Sequence, residues 1–504
     1  VSGPGGSRPV VLVGLLLVVL SSSLLLKAAL VRPRGTVFAG TFYYQDDFYN
    51  YLSYVQQAED GALVFRNKLA PPTAPRRLVN VEWLLVGWLS WLLGGHVLVA
   101  YRVFGALAAL VLVVLVDRAL RRAGIAPGRR LAGLLLVFVG GGLGGLLVTM
   151  RVLPPERAYD LRAGLYPFVE VLANPHFVVG TALLLAALLE LAAERPARGV
   201  LLGTVLGLVR PYDLAILAFV AFSATLLLAR PRGWPRRRLP LLGLLPILAW
   251  NVWLFLLSPG FGAFSSDRYA VVAPSPGELA LALGPAVVLA FAAFRGPGFD
   301  AERRHRVYLA LWAGAALALG ALPIVPFSSQ FLVGIGVPLL ALAAVGLSGM
   351  RRLWLDAAVP LLAGSSLLVV GLVAGTSPAW HVPADRWRVA ATTLRPLCRR
   401  GDLVLAPPDI GLYVGGLTAC WPWVSHRAAP TFEARDRAAR QFYSYTSAEE
   451  RSQFLAETGV RFVVLPPPGA EGRGWSPAEA GFRRLDAREG SDLAVFARED
   501  EPRR

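Results

Sequence analysis

The chain has 504 residues, 55% of them hydrophobic, and a mean hydropathy of +0.54. Apolar runs of spanning length recur through its first three quarters, which excludes a soluble core and reads as a polytopic membrane protein. The net charge of +17 is nearly all arginine. Much of it sits in short loops between apolar runs, where it reports orientation rather than a nucleic-acid partner.

The first run, Val10 to Val31, is longer than a signal-peptide core and has no small-residue cleavage site after it, so it reads as a retained first span. A polar stretch from Arg32 to Val79 follows, centred on Tyr43-Tyr44-Gln45-Asp46-Asp47-Phe48-Tyr49-Asn50-Tyr51. Tyr51, Leu52, Val55 and Ala58 recur at helical spacing, which predicts an amphipathic helix from Asp47 to Asp60, stopped by Gly61. The adjacent carboxylates have two readings. Asp46 or Asp47 is the N-cap that accepts from free backbone N–H groups, or one of them is a catalytic carboxylate at the mouth of a membrane enzyme. Both hold if one caps and the other projects.

Val81 to Leu93 is apolar but only about 20 Å long as helix, and it contains Glu82, so it is expected to be interfacial or half-inserted. Spans are expected at Val97–Asp117, Leu131–Met150 and Asn174–Glu194. Gly199 to Ala229 is interrupted by Arg210-Pro211-Tyr212-Asp213 and reads as two arms. Later spans are Leu239–Ser258, Gly277–Phe294, Arg306–Leu322, Phe327–Leu347 and Leu353–Gly375. The basic loops are Arg118–Arg130, Glu194–Arg198, Arg230–Arg238, Arg295–Arg306 and Met350–Arg352. The positive-inside rule puts them all in the cytoplasm if Val81–Leu93 does not cross and Arg210–Asp213 marks a reversal on the outer side. This gives about 11 crossings, with the N-terminus inside and everything after Gly375 outside.

From about Ser377 the composition changes. Asp402–Leu405 and Arg461–Leu465 read as strands, Trp387–Leu397 and Ser447–Glu457 as helices, and Phe482–Leu485 with Leu493–Phe496 as a hairpin around Glu489-Gly490. The expectation is a membrane domain over residues 1–376, with residues 32–96 as its first outer loop, and a small α/β domain over residues 377–504. Cys398 and Cys420 fall on the oxidising side of this topology. They form a disulfide if Asp402–Leu405 and Trp421–Val424 are neighbouring strands, and are otherwise two buried thiols.

Unusual polar residues collect in the loops assigned to the outer face. Arg66 and Lys68 share the loop of the aspartates. Arg151, Arg157, Arg162, Tyr166 and Glu170 lie in the next, with His176 after it. Arg210 and Asp213 mark the helix break, and Ser265-Ser266-Asp267-Arg268-Tyr269 occupies a further loop. Carboxylates among arginines and aromatics suit a lipid-linked anionic substrate, because arginine grips phosphate oxygens with two N–H groups. Each has a plainer role. Arg151 and Arg162 can snorkel to headgroups, His176 can simply open a helix after Asn174-Pro175, and Arg210 can pair with Asp213 to hold the break. No phosphate-binding loop, nucleophile elbow or zinc-binding helix occurs in a credible context. Gly140-Gly141-Gly142-Leu143-Gly144-Gly145 fits close helix packing better than a phosphate cradle.

Asp46-Asp47, then Tyr51, then Gly61 resembles the acidic motif of the type C (GT-C) membrane glycosyltransferases, in their protein O-mannosyltransferase and aminoarabinose-transferase branches. Gly94-Gly95-His96 with Ala100-Tyr101-Arg102-Val103 resembles their short turn and Arg-bearing second span. Trp423 to Phe442, with His426, resembles the outer-domain stretch of bacterial relatives. Val81-Glu82-Trp83 departs from the Pro-Pro-Leu common before the second span. The resemblance implies an all-α polytopic membrane fold of about 11–13 transmembrane helices with a small C-terminal extracytoplasmic α/β domain. It implies a multi-pass enzyme of the cell membrane that moves a sugar, with inversion, from a polyprenyl-phosphate donor to an extracytoplasmic cell-envelope glycan, lipid or protein. Asp46 would be the catalytic base with Asp47 beside it. Tyr44, Tyr51, Arg66, Lys68, Arg102, Arg151, Arg157, His176, Arg210, Asp213 and Arg268 would bind substrate. Membrane lipid and the lipid-linked donor are the expected partners, with no nucleic acid. No cofactor is expected, and a divalent cation stays open because pyrophosphate-donor branches use one. The rivals are a lipid or glycolipid transporter or flippase, prompted by the broken helix, and a non-catalytic membrane scaffold.

Overall fold

The structure is a computed structural model that describes residues 7–162, 164–228, 239–258, 274–295, 300–322, 328–350, 352–375, 380–427, 429, 431–444, 447–465, 475–485 and 493–499. By its internal contacts the chain divides into two units. One comprises Val1–Leu30, Tyr101–Trp253 and Ala270–Thr376; the other comprises Val31–Ala100, Leu254–Tyr269 and Ser377–Arg504. Residues 31–100 therefore fall in the same unit as residues 377–504.

Among the described residues seven helices are long and apolar enough to cross a membrane: Arg8–Leu30, Val97–Arg122, Pro175–Ala192, Pro240–Leu257, Pro276–Phe294, Ser328–Ser348 and Leu353–Ala374. The chain is a multi-pass membrane protein. Its first ten helices are α1 (Arg8–Leu30), α2 (Gln45–Glu59), α3 (Val81–Leu92), α4 (Val97–Arg122), α5 (Arg130–Val139), α6 (Gly144–Thr149), α7 (Pro167–Ala173), α8 (Pro175–Ala192), α9 (Pro196–Gly207) and α10 (Pro211–Leu227). α3 is too short to span, as its length predicts, and leaves Trp88, Trp91 and Leu92 exposed.

In the first unit the expected continuous span Leu131–Met150 is corrected to two helices, α5 and α6. The chain turns extended at Gly140 (ψ 155°) and leaves the helical path until Leu143. Non-helical backbone of this kind persists only where other groups satisfy it. Gly141 N–H donates to the Leu362 carbonyl at 2.6 Å, and Leu143 N–H to that of Leu281 at 3.0 Å. A Cβ on Gly142 would lie 2.3 Å from the Ala282 oxygen, so glycine is what admits the crossing chain. Asp160 takes the Gly145 N–H at the start of α6 and also binds the Ser365 hydroxyl. Buried Asp117 accepts from Arg130 Nε at 2.8 Å and so ties α4 to the first residue of α5.

The break at Arg210 is present. α9 ends at Gly207, Arg210 takes extended backbone (φ −136°, ψ 102°), and Pro211 opens α10 at a position where its missing N–H costs nothing. The basic segment Arg230–Arg238 and the loop carrying Arg268 lie outside the described residues.

In the second unit β1 (Thr36–Phe38) pairs antiparallel with β2 (His381–Pro383). A five-stranded mixed sheet follows from β3 (Leu403–Leu405), β4 (Trp421–Pro422), β5 (Phe462–Leu465), β6 (Phe482–Leu485) and β7 (Ala494–Arg498), in the order β4-β3-β5-β7-β6. β3 is parallel to β4 and β5, with helical crossovers as parallel pairing requires, and β7 runs antiparallel to β5 and β6. Leu405, Phe442, Leu455, Val463, Phe482 and Phe496 form its core. Cys398 and Cys420 are joined by a disulfide, their Cα atoms 5.1 Å apart, as β3 and β4 lie side by side.

Candidate active site

The acidic motif lies in the second unit. α2 starts at Gln45, earlier than its periodicity indicates, because Phe48 N–H already closes a helical bond to the Tyr44 carbonyl at 2.9 Å. The expected capping role is therefore corrected: neither aspartate is the N-cap. Tyr44 holds that place in the left-handed conformation (φ 49°, ψ 58°) with no side-chain cap bond, while Asp46 and Asp47 occupy the first turn. Negative charge there is favoured by about 0.3–1 kcal/mol through the helix dipole. A left-handed residue that is not glycine costs on the order of 1–3 kcal/mol and is kept where surrounding structure over-determines it. Thr41 helps to do so, its hydroxyl bonding both the N–H and the carbonyl of Tyr43.

The two carboxylates differ in their surroundings. His426 is buried (3% exposed) and its Nε2 lies 3.3 Å from Asp47 Oδ1, so the ring N–H donates to a carboxylate that is 39% exposed. Among the described residues no hydrogen bond or ion pair engages the Asp46 carboxylate; its neighbour by charge is the Tyr413 phenol. Burial pushes Tyr413 well above the usual tyrosine range, reinforced by Asp409. Tyr413 packs edge-on against Tyr49 at 5.0 Å, and Tyr49 donates to the Ala39 carbonyl at 2.9 Å. Gly416 allows this contact, since a Cβ there would meet the Tyr49 carbonyl oxygen at 2.7 Å. Next to Tyr413 sits the Arg386–Asp409 ion pair.

The other anticipated residues are placed as follows. Tyr44 is exposed, and Tyr51 stacks on Trp83 at 4.8 Å, where it packs α2 on α3. Lys68 is buried and its Nζ donates to the carbonyls of Gly415 (3.0 Å) and Thr418 (2.6 Å), at the end of the helix Pro408–Leu417. Those carbonyls have no partner within the helix, and a cation is favoured there. Burial nevertheless lowers Lys68 to about 7, partly offset by Asp60.

Arg102, Arg151, Arg157, His176, Arg210 and Asp213 belong to the first unit. Arg102 lies over the Tyr101 ring, and Tyr101 donates to Asn174 Oδ1 at 2.5 Å. Arg151 and Arg157 are exposed. Asn174 caps α8 by accepting from His176 N–H, so His176 opens a helix. Arg210 is 1% exposed; its guanidinium donates to Asp213 at 3.1 Å and to the Gln330 side chain and carbonyl at 3.3 Å, with the Phe177 ring below it. Glu170 is buried in the same group, bonded to Thr181, and burial pushes its carboxyl up to about 8 against the pull of Arg210. Gly180 leaves the room for this group, since a Cβ there would meet Arg210 at 2.4 Å.

His426 lies in Trp423 to Phe442, a stretch whose resemblance to bacterial relatives assigns it no role. Its separation from Asp47, 379 residues, left no local signal for the pairing. No group of three or more His, Cys, Asp or Glu side chains able to hold a metal ion occurs among the described residues.

Compared by sequence, the chain matches no family model and no curated protein. Compared by structure, it is similar to the arabinofuranosyltransferase AftD from Mycobacteria (TM-score 0.56, 16% identity), covering 99% of this chain but only 40% of AftD. It is similar to ArnT from Cupriavidus metallidurans over 97% of both chains (TM-score 0.54, 16% identity). It also matches the Archaeoglobus fulgidus oligosaccharyltransferase, over 90% of this chain and 69% of that one (TM-score 0.52, 13% identity). What the chain shares with all three is architecture, and by that architecture it has the GT-C glycosyltransferase fold.

Proposed function

We propose that this chain is a membrane glycosyltransferase that transfers a sugar from a polyprenyl-phosphate donor to a hydroxyl acceptor of the cell envelope, with inversion. The observation that carries the reading is the unlike pair of carboxylates at the start of α2: Asp47 tied to buried His426, Asp46 unengaged among the described residues. A general base must be free to take a proton, and a carboxylate already bonded to a histidine is better suited to positioning. In the proposed step Asp46 accepts the proton of the acceptor hydroxyl. The hydroxyl oxygen bonds to the anomeric carbon, the bond from that carbon to the donor phosphate oxygen breaks, and its electron pair leaves with the phosphate. Asp47, held by His426, fixes the first turn of α2 so that Asp46 stays aimed. The donor class follows from the family resemblance of the acidic motif. The positive-inside distribution of arginine assigns the N-terminus to the cytoplasm and the site to the opposite face of the cell membrane.

The test is transfer in membranes containing the full chain, assayed against a panel of prenyl-phosphate sugars. Asp46→Asn should lower transfer by a factor on the order of 10²–10⁴, and Asp47→Asn by less, with equal amounts of inserted protein. Transfer at the wild-type rate in both variants would refute the mechanism.

A further inference from the structure

A second polar site lies at the other end of α2. A cavity of about 90 Å³ opens there, its wall carrying Gln56, Asp60, Arg66, Lys68, Arg76 and Arg400. A water needs about 10–15 Å³ by the same measure, so the cavity takes a group of several heavy atoms. Gln56 stands nine residues beyond Asp47 on the same helix, about 14 Å at its rise per residue, so this is a different place from the carboxylate pair.

Its charge is unbalanced. Arg400 is paired with Asp60, at 3.2 Å. Arg66 and Arg76 have no carboxylate partner among the described residues and leave an excess of positive charge. Its hydrogen bonding is also incomplete. Arg66 Nε and Gln56 Oε1 are both buried, and neither has a partner among the described residues. Such orphans are rare because each forfeits its bonds to water, and two lining one small cavity point to a polar occupant. The Gln56 amide can present either its oxygen or its N–H groups to an occupant.

The wall is held rigid. Gln57 binds the Arg66 backbone on both sides, N–H at 2.9 Å and carbonyl at 3.0 Å. The Cys398–Cys420 disulfide pins the two strands of chain that carry Arg400 and Ala419. Lys68, committed to the carbonyls of Gly415 and Thr418, fixes the floor.

We propose that this cavity is a binding site for a phosphoryl group, with Arg66 and Arg76 taking its oxygens and Gln56 completing the shell. Guanidinium groups match phosphate oxygens in geometry, and a compact oxyanion neutralises the excess charge that water cannot. The proposal does not depend on the chemistry assigned to Asp46 and Asp47.

The test uses the full chain purified in neutral detergent, with radiolabelled inorganic phosphate by equilibrium dialysis and, in parallel, a short-chain prenyl phosphate in the same micelles. The expected result is saturable binding of at least one probe, weakened at least tenfold by Arg66→Gln and by Arg76→Gln, and unchanged by Arg440→Gln, an exposed arginine outside the cavity. Arg76 is exposed, so its replacement leaves the fold intact even if that of Arg66 does not. Binding of free phosphate would identify a soluble ligand; binding of the prenyl phosphate alone would identify a lipid headgroup. Saturable binding of neither probe, or binding unaltered in both arginine variants, would overturn the site.

Discussion

His426 and Asp47 make the contact on which the proposed chemistry turns, and a histidine in this role is separable from one that merely packs. His426→Ala should lower transfer about as much as Asp47→Ala, since both remove the same carboxylate–imidazole bond. His426→Gln, whose amide N–H can donate to the same oxygen, should recover part of that loss. Equal activity in the two His426 variants would argue for packing alone. Lys68 gives a second prediction at this scale. Its folded value of about 7 lies below the ordinary 10.5, so between those limits the unfolded chain binds the extra proton. Stability should therefore rise with pH from about 7 towards 10.5, and the penalty should be complete below 7. Lys68→Met should flatten the profile in that window, measured as melting temperature in detergent. A neutral amine still has two N–H donors, enough for both carbonyls, so the native contacts survive deprotonation.

The broken helices are held by buried groups that satisfy each other. Arg210, Asp213 and Glu170 form one such group, and with the Glu170 carboxyl raised to about 8 it is close to neutral at pH 7. Arg210→Met leaves two buried acidic groups without their cation, and should cost about 3–5 kcal/mol. Arg210→Met with Asp213→Leu should cost less than the sum of the single changes, since the uncompensated charge goes with its partner. Thermal denaturation of the detergent-solubilised variants checks this, and strict additivity would mean that the ion pair does not hold the break. The glycine-lined break between α5 and α6 makes a steric prediction. Gly142→Ala puts a methyl group 2.3 Å from a backbone oxygen that cannot step aside, whereas Gly128→Ala meets nothing within 4 Å. The first should destabilise strongly, and the second should change the melting temperature little.

At the scale of the molecule, the disulfide closes a loop across the sheet unit. Cys398 and Cys420 are 22 residues apart, so the constraint on the unfolded chain is worth about 3 kcal/mol in the loop-entropy account. Cys398→Ser with Cys420→Ser should reduce the resistance of residues 377–504 to proteolysis by an amount that reductant reproduces in the wild-type chain. A wild-type chain indifferent to reductant would show that the bridge adds nothing.

Seven of the expected spans, the short α3, the break at Arg210, the strands of the C-terminal region and the acidic helix were legible because each is written in consecutive residues. Hydropathy, period and punctuation are local quantities, set by the bilayer thickness and by the pitch of helix and strand. The overall fold was legible for a related reason: its order of spans runs along the chain. What tertiary structure decided lies between residues far apart. Periodicity finds the apolar face of α2 but not its first residue, which depends on how Gly40 to Tyr44 turn into the helix. The break at Gly140 was hidden because six apolar or glycine residues in a row look like span until the Leu281 and Leu362 carbonyls arrive to take the freed N–H groups. Glu170 joining Arg210, and His426 reaching Asp47, depend on which surfaces pack together, and packing is chosen by the whole chain at once.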